Sequence, residues 1–319
     1  MSGMRPTRGL HLGNWIGALK SWIELQKNNQ CYFSIVDWHA LTSEYQNPGP
    51  IKGYIREVLL DWLGVGIDPN KSVVYLQSSV KEISELFLLF SMIAPLGWLE
   101  RVPTFKEQQQ EMKDKDLNTY GFLGYPLLQA VDIIIVRGDI VPVGEDQVFH
   151  LEIAREFVRK FNHLYGNYFT EPKEYLTPIP KLPGLDGRKM SKSYDNAIYL
   201  SDSTETIEKK IRPMVTDTRR KKRTDPGVPA DCPVYYFHKS FSSAEEQNQV
   251  AEGCTSAGIG CIDCKKILIK NLNIFLDPIR ERRAKFENLD IRDILEPGIK
   301  KSRDMSRKTL EEVRNLIKI

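Results

Sequence analysis

The first half of the chain alternates short apolar runs with longer amphipathic segments, and this alternation restricts the fold more than any other feature of the sequence. Short runs rich in β-branched and aromatic residues are typical of buried strands. Segments whose apolar residues recur every three to four positions are typical of helices. Strands that alternate with helices favour a parallel sheet with helices on both of its faces.

The predicted strands and helices define the expected domains. The strands are expected over 31–37, 72–77, 131–136 and 139–144, and the helices over 13–27, 51–67, 84–94 and 146–161. Beyond about residue 200 only helical patterns remain, and the Pro/Gly-rich stretch 178–188, PIPKLPGLDGR, indicates a boundary. We therefore expect an α/β protein: a Rossmann-type parallel-sheet domain over 1–180, a loop over 181–198 and a mostly α-helical domain over 199–319.

The composition and the chain start limit the location of the protein. Of 319 residues, 41% are hydrophobic and 27% are charged, as in an ordinary globular protein. No run of about 18 apolar residues occurs, so we expect no membrane partner. The start, MSGMRPTRGLHLGN, has no apolar signal core, which makes the cytoplasm the expected location. It also leaves almost no room for a first strand.

Positive charge is concentrated near the C-terminus. Residues 265–319 contain 15 lysines and arginines against 9 acidic residues, and Arg219 to Arg223 form an unbroken basic run. Basic surface of this kind favours a polyanionic partner such as a nucleic acid. A solvated charged face is the alternative reading of each segment alone.

The stretch LHLGN, residues 10–14, joins the opening turn to an amphipathic helix. Free N–H groups and the positive dipole end at a helix start suit a phosphate. His11 offers a further donor, and Gly13 lets a ligand approach the backbone. A structural role for His11 is the alternative.

The stretch GRKMSKSYDN, residues 187–196, places two lysines on a loop that begins with glycine. Lys189 and Lys192 lie three positions apart, so both can reach one polyphosphate. Lysines are useful where negative charge develops on a leaving group. Together with a His-x-Gly motif 178 residues earlier, this pentapeptide is much more specific than either motif alone.

The pair resembles the two marker motifs of class I aminoacyl-tRNA synthetases, here HLGN at 11–14 and KMSKS at 189–193. Four longer stretches narrow the resemblance to bacterial-type tryptophanyl-tRNA synthetases: GMRPTRGLHLGNWIGAL, CYFSIVDWHALT, YPLLQAVDIII and VPVGEDQVFHLEIAREFVRKFN. The resemblance implies a ligase that joins L-tryptophan to tRNA(Trp) with ATP and Mg²⁺, and a homodimer.

The resemblance also assigns site residues. Catalytic roles fall to His11, Asn14, Lys189, Ser191 and Lys192. ATP contacts fall to Arg5, Pro6, Thr7, Gly13, Asn14, Gly144, Glu145, Asp146, Lys189, Met190, Ser191, Lys192 and Ser193. Tryptophan contacts fall to His39, Tyr125, Asp132 and Gln147. Asp132 is the expected acceptor of the indole N–H, because that group only donates and a carboxylate only accepts. A structurally paired acid is the alternative for Asp132.

One position departs from the family pattern. The family carries Thr-Gly before the first motif, whereas this chain reads Thr7-Arg8-Gly9. An arginine beside ATP is expected to alter the geometry of the loop. This departure keeps open a second reading, a non-catalytic paralogue that binds RNA or senses redox state. A tyrosine-specific enzyme on the same fold is a third reading, against which Asp132 argues.

Four cysteines lie within the segment 232–264 with the spacing C-x21-C-x6-C-x2-C. Thiols stay reduced in the cytoplasm, so Cys232, Cys254, Cys261 and Cys264 indicate a metal site, and spacing alone favours zinc over iron–sulfur. A subset of the family it resembles carries almost this spacing and binds a 4Fe–4S cluster, which reverses the preference. The fifth cysteine, Cys31, is expected to be a core thiol.

Overall fold

A computed structural model describes residues 1–103, 115–144, 147–176 and 182–319, and for Ser193 it describes only the backbone. Its main sheet has three parallel strands in the order β1-β2-β3, and a second sheet pairs β4 with β5 in parallel. The strands are β1 Ser2–Met4, β2 Tyr32–Ile35, β3 Val73–Leu76, β4 Ile140–Val143 and β5 Lys173–Leu176.

Helices cover the sheets and form the rest of the described chain. The first, α1, runs as Leu12–Asn14, a π-helical turn Trp15–Leu19 and Lys20–Leu25. In the first half follow α2 Asp37–Glu44, α3 Ile51–Val65, α4 Glu82–Ser91, α5 Leu96–Glu100, α6 Tyr120–Leu123, α7 Tyr125–Ile135 and α8 Val148–Tyr165. In the second half follow α9 Thr204–Ile211, α10 Pro233–Phe241, α11 Ala244–Thr255, α12 Cys261–Ala284 and α13 Ile291–Ile317.

The predicted α/β class, with a parallel Rossmann-like sheet and a helical C-terminal part, is confirmed. The helix predicted within 51–67, with its end expected near Gly64, ends at Val65 because Gly66 adopts φ +105°, a left-handed conformation that glycine reaches without strain. The expectation that the chain start leaves almost no room for a strand is wrong. Ser2 pairs with Phe33 and Met4 with Ile35, so three residues are enough for β1.

The prediction of a strand over 131–136 is also wrong, because these residues lie mostly in helix α7. Ten of its eleven residues are buried. A helix that is apolar on all sides loses the 3.6-residue period, and a β-branched run such as VDIIIV then resembles a buried strand. This misreading matters for the site, because Asp132 projects from a helix and not from a strand.

The C-terminal helix α13 returns to the main sheet, which the sequence pattern did not indicate. Gly298 lies so close to β3 that a Cβ atom there would meet the Val74 carbonyl oxygen at 1.9 Å. Leu310 and Val313 of the same helix are buried in the core that contains Tyr75 and α7. The helical half therefore supports the sheet directly. Among the described residues no helix is long and apolar enough to cross a membrane.

Candidate active site

The two signature loops lie side by side. The Leu12 N–H donates to the Ile198 carbonyl at 2.9 Å, and the Leu200 N–H donates to the Leu10 carbonyl at 2.8 Å. The segment that follows KMSKS thus pairs with the backbone on both sides of His11. This pairing explains how two motifs far apart in sequence form one site.

His11 caps the first turn of α1. The ring Nδ1 accepts the backbone N–H of Asn14 at 3.2 Å, and the backbone N–H of His11 donates to Asn14 Oδ1 at 3.0 Å. Burial, and then the positive charge of Lys192, lower the pKa of His11 to about 4. The ring is therefore neutral at physiological pH. Because Nδ1 accepts, the proton is on Nε2, where it can be donated to a phosphate oxygen.

Gly13 is required by close packing at this turn. A Cβ atom there would lie 2.9 Å from His11 Nδ1 and 3.6 Å from Met190 Sδ. Met190, at the centre of KMSKS, is buried. The side chain of the second motif thus packs against the glycine of the first, and any other residue at position 13 would push His11 away.

The KMSKS loop is held in shape by Asn196, which the sequence reasoning missed. Asn196 Oδ1 accepts the Ser191 N–H at 2.9 Å, while its Nδ2 donates to the Lys189 carbonyl at 3.1 Å and to Asp186 Oδ1 at 2.7 Å. The Lys189 side chain is exposed and directed to solvent. No sequence pattern predicts this role, because the hydrogen bonds of Asn196 form only when the loop is folded around it.

Lys192 and Arg8 connect the two loops reciprocally. Lys192 Nζ donates to the Arg8 carbonyl at 3.0 Å, and Arg8 Nη1 donates to the Lys192 carbonyl at 3.4 Å. Burial, and secondarily the charges of Arg5 and Arg8, lower the pKa of Lys192 to about 8. The arginine that departs from the family pattern therefore contacts the second motif.

Arg5, Pro6 and Thr7, which are predicted to contact ATP, directly precede Arg8 in the chain. The guanidinium of Arg5 donates to Ser43 Oγ, and burial lowers its pKa. Pro6 is buried, and the Thr7 N–H donates to the Arg5 carbonyl at 3.0 Å, which closes a tight turn.

The GEDQ stretch is described only at its two ends. Gly144 is buried, and its carbonyl accepts the Gln147 N–H at 2.9 Å at the start of α8. Glu145 and Asp146, predicted to contact ATP, lie outside the described residues. Their assignment stays a prediction.

Asp132 lies in a buried polar group assembled from three elements. The Gln77 amide nitrogen donates to Asp132 Oδ1 at 2.9 Å and Oδ2 at 2.8 Å, and His39 Nε2 lies 3.1 Å from Oδ2. Asp132 is on α7, His39 on α2, and Gln77 directly follows β3. A carboxylate offers about four lone-pair sites. Its ionised form can therefore accept one more donor from a bound ligand.

Gln77 was missed by the sequence reasoning, although a signal exists. It is the first residue after β3 and is fully buried. Its Oε1 also accepts the backbone N–H groups of Trp38 and His39, at 3.1 and 3.4 Å. A polar residue at the carboxyl end of a parallel strand is a position where ligand sites occur. Tyr125, predicted for the same site, is buried about two turns before Asp132 on α7.

The four cysteines come from three neighbouring elements of the helical part. Cys232 precedes α10, Cys254 is near the end of α11, and Cys261 and Cys264 open α12. All four are free thiols. Burial, and then the negative charges that the other three cysteines carry as thiolates, raise the pKa of Cys264 to about 12, so the four side chains lie within electrostatic reach of one another.

Polar groups surround this cysteine region. His238 Nε2 lies 3.3 Å from Cys264 Sγ, and Arg220 Nη1 lies 3.9 Å from Cys254 Sγ. A Cβ at Gly227 would come within 2.6 Å of Cys254 Sγ, so glycine leaves room there. Within the described ranges, no three or more His, Cys, Asp or Glu side chains form a group that can hold a metal ion. The metal assignment therefore stays a proposal.

Comparison with known proteins identifies the family. The family described as class I tRNA synthetases for W and Y matches residues 1–277. The tryptophan–tRNA ligase of Thermotoga maritima is 50% identical over 323 residues, which cover 100% of this chain and 98% of that protein. The Aquifex aeolicus tryptophan–tRNA ligase is 41% identical, with 100% and 99% covered.

Solved structures agree with the sequence comparison. The tryptophanyl-tRNA synthetase of Campylobacter jejuni, complexed with ADP and tryptophan, superposes with a TM-score of 0.89 at 32% identity, covering 99% of this chain and 98% of that one. The agreement extends over the sheet, both signature loops and the helical part. The chain belongs to the bacterial-type tryptophanyl-tRNA synthetases of class I.

Proposed function

We propose that the chain activates L-tryptophan with ATP and transfers it to tRNA(Trp). The observation that carries the proposal is the pairing of the two signature loops, with the Leu12 N–H 2.9 Å from the Ile198 carbonyl oxygen. This pairing brings the neutral His11 and Lys192 close together, and Lys189 lies exposed on the same loop. The names of its relatives, tryptophan–tRNA ligases over the full chain length, support the same activity.

In the first step a tryptophan carboxylate oxygen attacks the α-phosphorus of ATP, and the bond from that phosphorus to the pyrophosphate oxygen breaks. Lys189 and Lys192 balance the charge that develops on pyrophosphate, and His11 donates from Nε2. Mg²⁺ would be held chiefly by the ATP phosphates, where it neutralises charge. Positioning and electrostatic stabilisation supply the rate, and no side chain has to act as a nucleophile.

In the second step a ribose hydroxyl at the 3′ end of tRNA attacks the carbonyl carbon of tryptophanyl-AMP, and AMP leaves. The C-terminal part, rich in lysine and arginine, is the proposed tRNA surface. Asp132 is the proposed acceptor of the indole N–H. Gln77 and His39 hold the carboxylate of Asp132 in place.

Amino-acid-dependent exchange of pyrophosphate with ATP tests the proposal. We expect exchange with tryptophan and on the order of 10⁴-fold less with phenylalanine, since a site built for a donor rejects the analogue that lacks it. Exchange with tyrosine in place of tryptophan would support the tyrosine-specific reading. Absence of exchange with any amino acid, alongside tRNA binding, would support the non-catalytic paralogue.

We further propose that Cys232, Cys254, Cys261 and Cys264 hold a 4Fe–4S cluster. Four thiols and no disulfide are the donor set that such a cluster uses. A single zinc ion needs all four sulfurs about 2.3 Å from one centre. A four-iron cluster gives each thiolate its own iron and so accepts sulfurs that lie further apart.

The expected role of the cluster is to support the tRNA-binding surface. We expect protein purified without oxygen to contain about four iron atoms and about four sulfides per chain. Cys264→Ser should weaken tRNA affinity severalfold and change pyrophosphate exchange by less than about twofold. Cys31→Ala, at a buried thiol outside the group, should keep the iron. About one zinc without sulfide would contradict the iron assignment, and equal loss of both activities would indicate a damaged fold.

The proposed homodimer has a candidate surface on α4 and α5. Leu88 on α4, Met92 directly after it and Leu96 at the start of α5 are 55%, 70% and 60% exposed. Exposed apolar side chains that lie this near one another along the chain favour an interface. Sedimentation equilibrium should give twice the chain mass of 36.7 kDa, and a monomer at micromolar concentration would refute the dimer.

A further inference from the structure

Asp61 on α3 is a fully buried acid outside every signature motif. Its Oδ2 accepts the N–H of Leu10, the residue before His11, at 2.7 Å. Its Oδ1 accepts from Arg283 Nη1 on α12, also at 2.7 Å. One carboxylate thus binds the first signature loop on one side and the helical half of the chain on the other.

The charges around Asp61 come from three further side chains. Arg283 also pairs with Glu57, one turn earlier on α3. The positive charge of Lys192, in the KMSKS loop, favours the ionised form of Asp61 and so lowers its pKa. Burial raises the pKa of Asp61 to about 6, against the opposing charge of Arg283. Arg283 is therefore the main group that keeps this carboxylate ionised at physiological pH.

Close packing between α3 and α12 makes the Asp61–Arg283 pair possible. A Cβ atom at Gly64 would come within 3.1 Å of the Ile279 carbonyl oxygen and 3.3 Å of Arg283 Cβ. Arg282 Nε donates to the Gly64 carbonyl at 2.6 Å. The absence of a side chain at Gly64 lets the two helices approach closely enough for Arg283 to reach Asp61.

We propose that Asp61 and Arg283 are positioning residues that hold the Leu10–His11 turn in the geometry required for ATP. The carboxylate fixes the Leu10 amide, and Arg283 fixes the carboxylate. The pair ties the ATP loop to α12, the helix that carries Cys261 and Cys264 in its first turn. The kinetic test of this inference rests on the proposed function, whereas the test by hydrogen–deuterium exchange does not.

The test compares Arg283→Met with the double variant Asp61→Asn/Arg283→Met. The single variant leaves a buried carboxylate without its partner, and we expect kcat/KM for ATP to fall by on the order of tenfold or more. The KM for tryptophan should change by less than about twofold, because Asp132 does not contact the pair. In the double variant the introduced amide oxygen still accepts the Leu10 N–H and carries no charge, so most of the loss should be recovered.

Arg282→Met is the matched control, because Arg282 also joins α12 to α3 but binds the Gly64 carbonyl and not Asp61. It should lower thermal stability and leave kcat/KM for ATP unchanged well below its melting temperature. If Arg282→Met and Arg283→Met slow exchange equally, or if adding Asp61→Asn to Arg283→Met restores nothing, the effect is general helix packing and the proposal is wrong.

Hydrogen–deuterium exchange gives a readout without catalysis. Arg283→Met should speed exchange in a peptide that spans 8–16, the double variant should restore protection, and Arg282→Met should not change it. Unchanged protection in Arg283→Met would overturn the inference. A wild-type protein without pyrophosphate exchange would refute the proposed function, while the deuterium measurement would still decide whether the pair positions the loop.

Discussion

Replacing Lys192 by alanine is expected to lower tryptophan-dependent pyrophosphate exchange by on the order of 10²–10³-fold, with little change in the KM for tryptophan. Lys192 belongs to the KMSKS loop, and its side chain reaches the segment before HLGN, where Nζ donates to the Arg8 carbonyl. In the proposed mechanism this charge stabilises the departing pyrophosphate and does not take part in recognising the side chain of the amino acid. Lys209→Ala, at an exposed lysine on α9, is the control and should exchange at the wild-type rate.

The pH dependence gives a second test of the same residue. Burial lowers the pKa of Lys192 from 10.5 to about 8, so the free enzyme loses this charge as the pH rises through about 8. We expect kcat/KM for ATP to fall above that pH. Bound phosphate should raise the pKa, so the alkaline limb of kcat should lie higher. Lys192→Arg stays charged, and its profile should lack the limb. A wild-type profile that is flat to pH 9, or full activity in Lys192→Ala, would remove Lys192 from the mechanism.

The sequence predicts those parts of the fold in which local pattern and burial agree. The strands β2, β3 and β4 and the amphipathic helices fall where periodicity indicates them. Helix α7 is not predicted, because a helix buried on all sides lacks the alternation of apolar and polar faces that indicates a helix in a sequence. The return of α13 to the sheet depends on the fit of Gly298 against Val74, a tertiary contact without local signature.

The candidate site likewise contains residues that the sequence predicts and residues whose roles appear only in the fold. The marker motifs reveal His11 and Lys192 because the residue types and spacing are specific to one chemistry. Gln77, Asn196 and Asp61 are ordinary polar residues in the sequence, and their roles arise from hydrogen bonds to partners 55, 5 and 51 positions away. The position of Gln77 after β3 is a sequence signal, but the partners of all three residues are known only from the fold. The cysteine spacing similarly predicts a shared region but not the distances between the sulfurs.

Replacing Asp132 by alanine is expected to lower kcat/KM for tryptophan by on the order of 10²–10³-fold. The change removes the proposed acceptor for the indole N–H and also leaves the Gln77 amide and His39 without their buried partner. Asp132→Asn should lose nearly as much, because its amide group can present a second donor where the carboxylate presents only acceptors. Discrimination between tryptophan and phenylalanine should shrink in both variants.

The control must separate recognition from damage to the core, because Asp132 is only 3% exposed. Asp304→Asn, at an exposed acid on α13, reports the effect of removing a charge alone and should be neutral. An Asp132→Asn protein that melts cooperatively and keeps the wild-type KM for ATP, yet binds tryptophan weakly, supports the assigned role. Loss of ATP and tryptophan binding together would mean that the Asp132–Gln77–His39 group holds α7 against the sheet. In that event the indole N–H has another acceptor, and selection for tryptophan arises from a different part of the pocket.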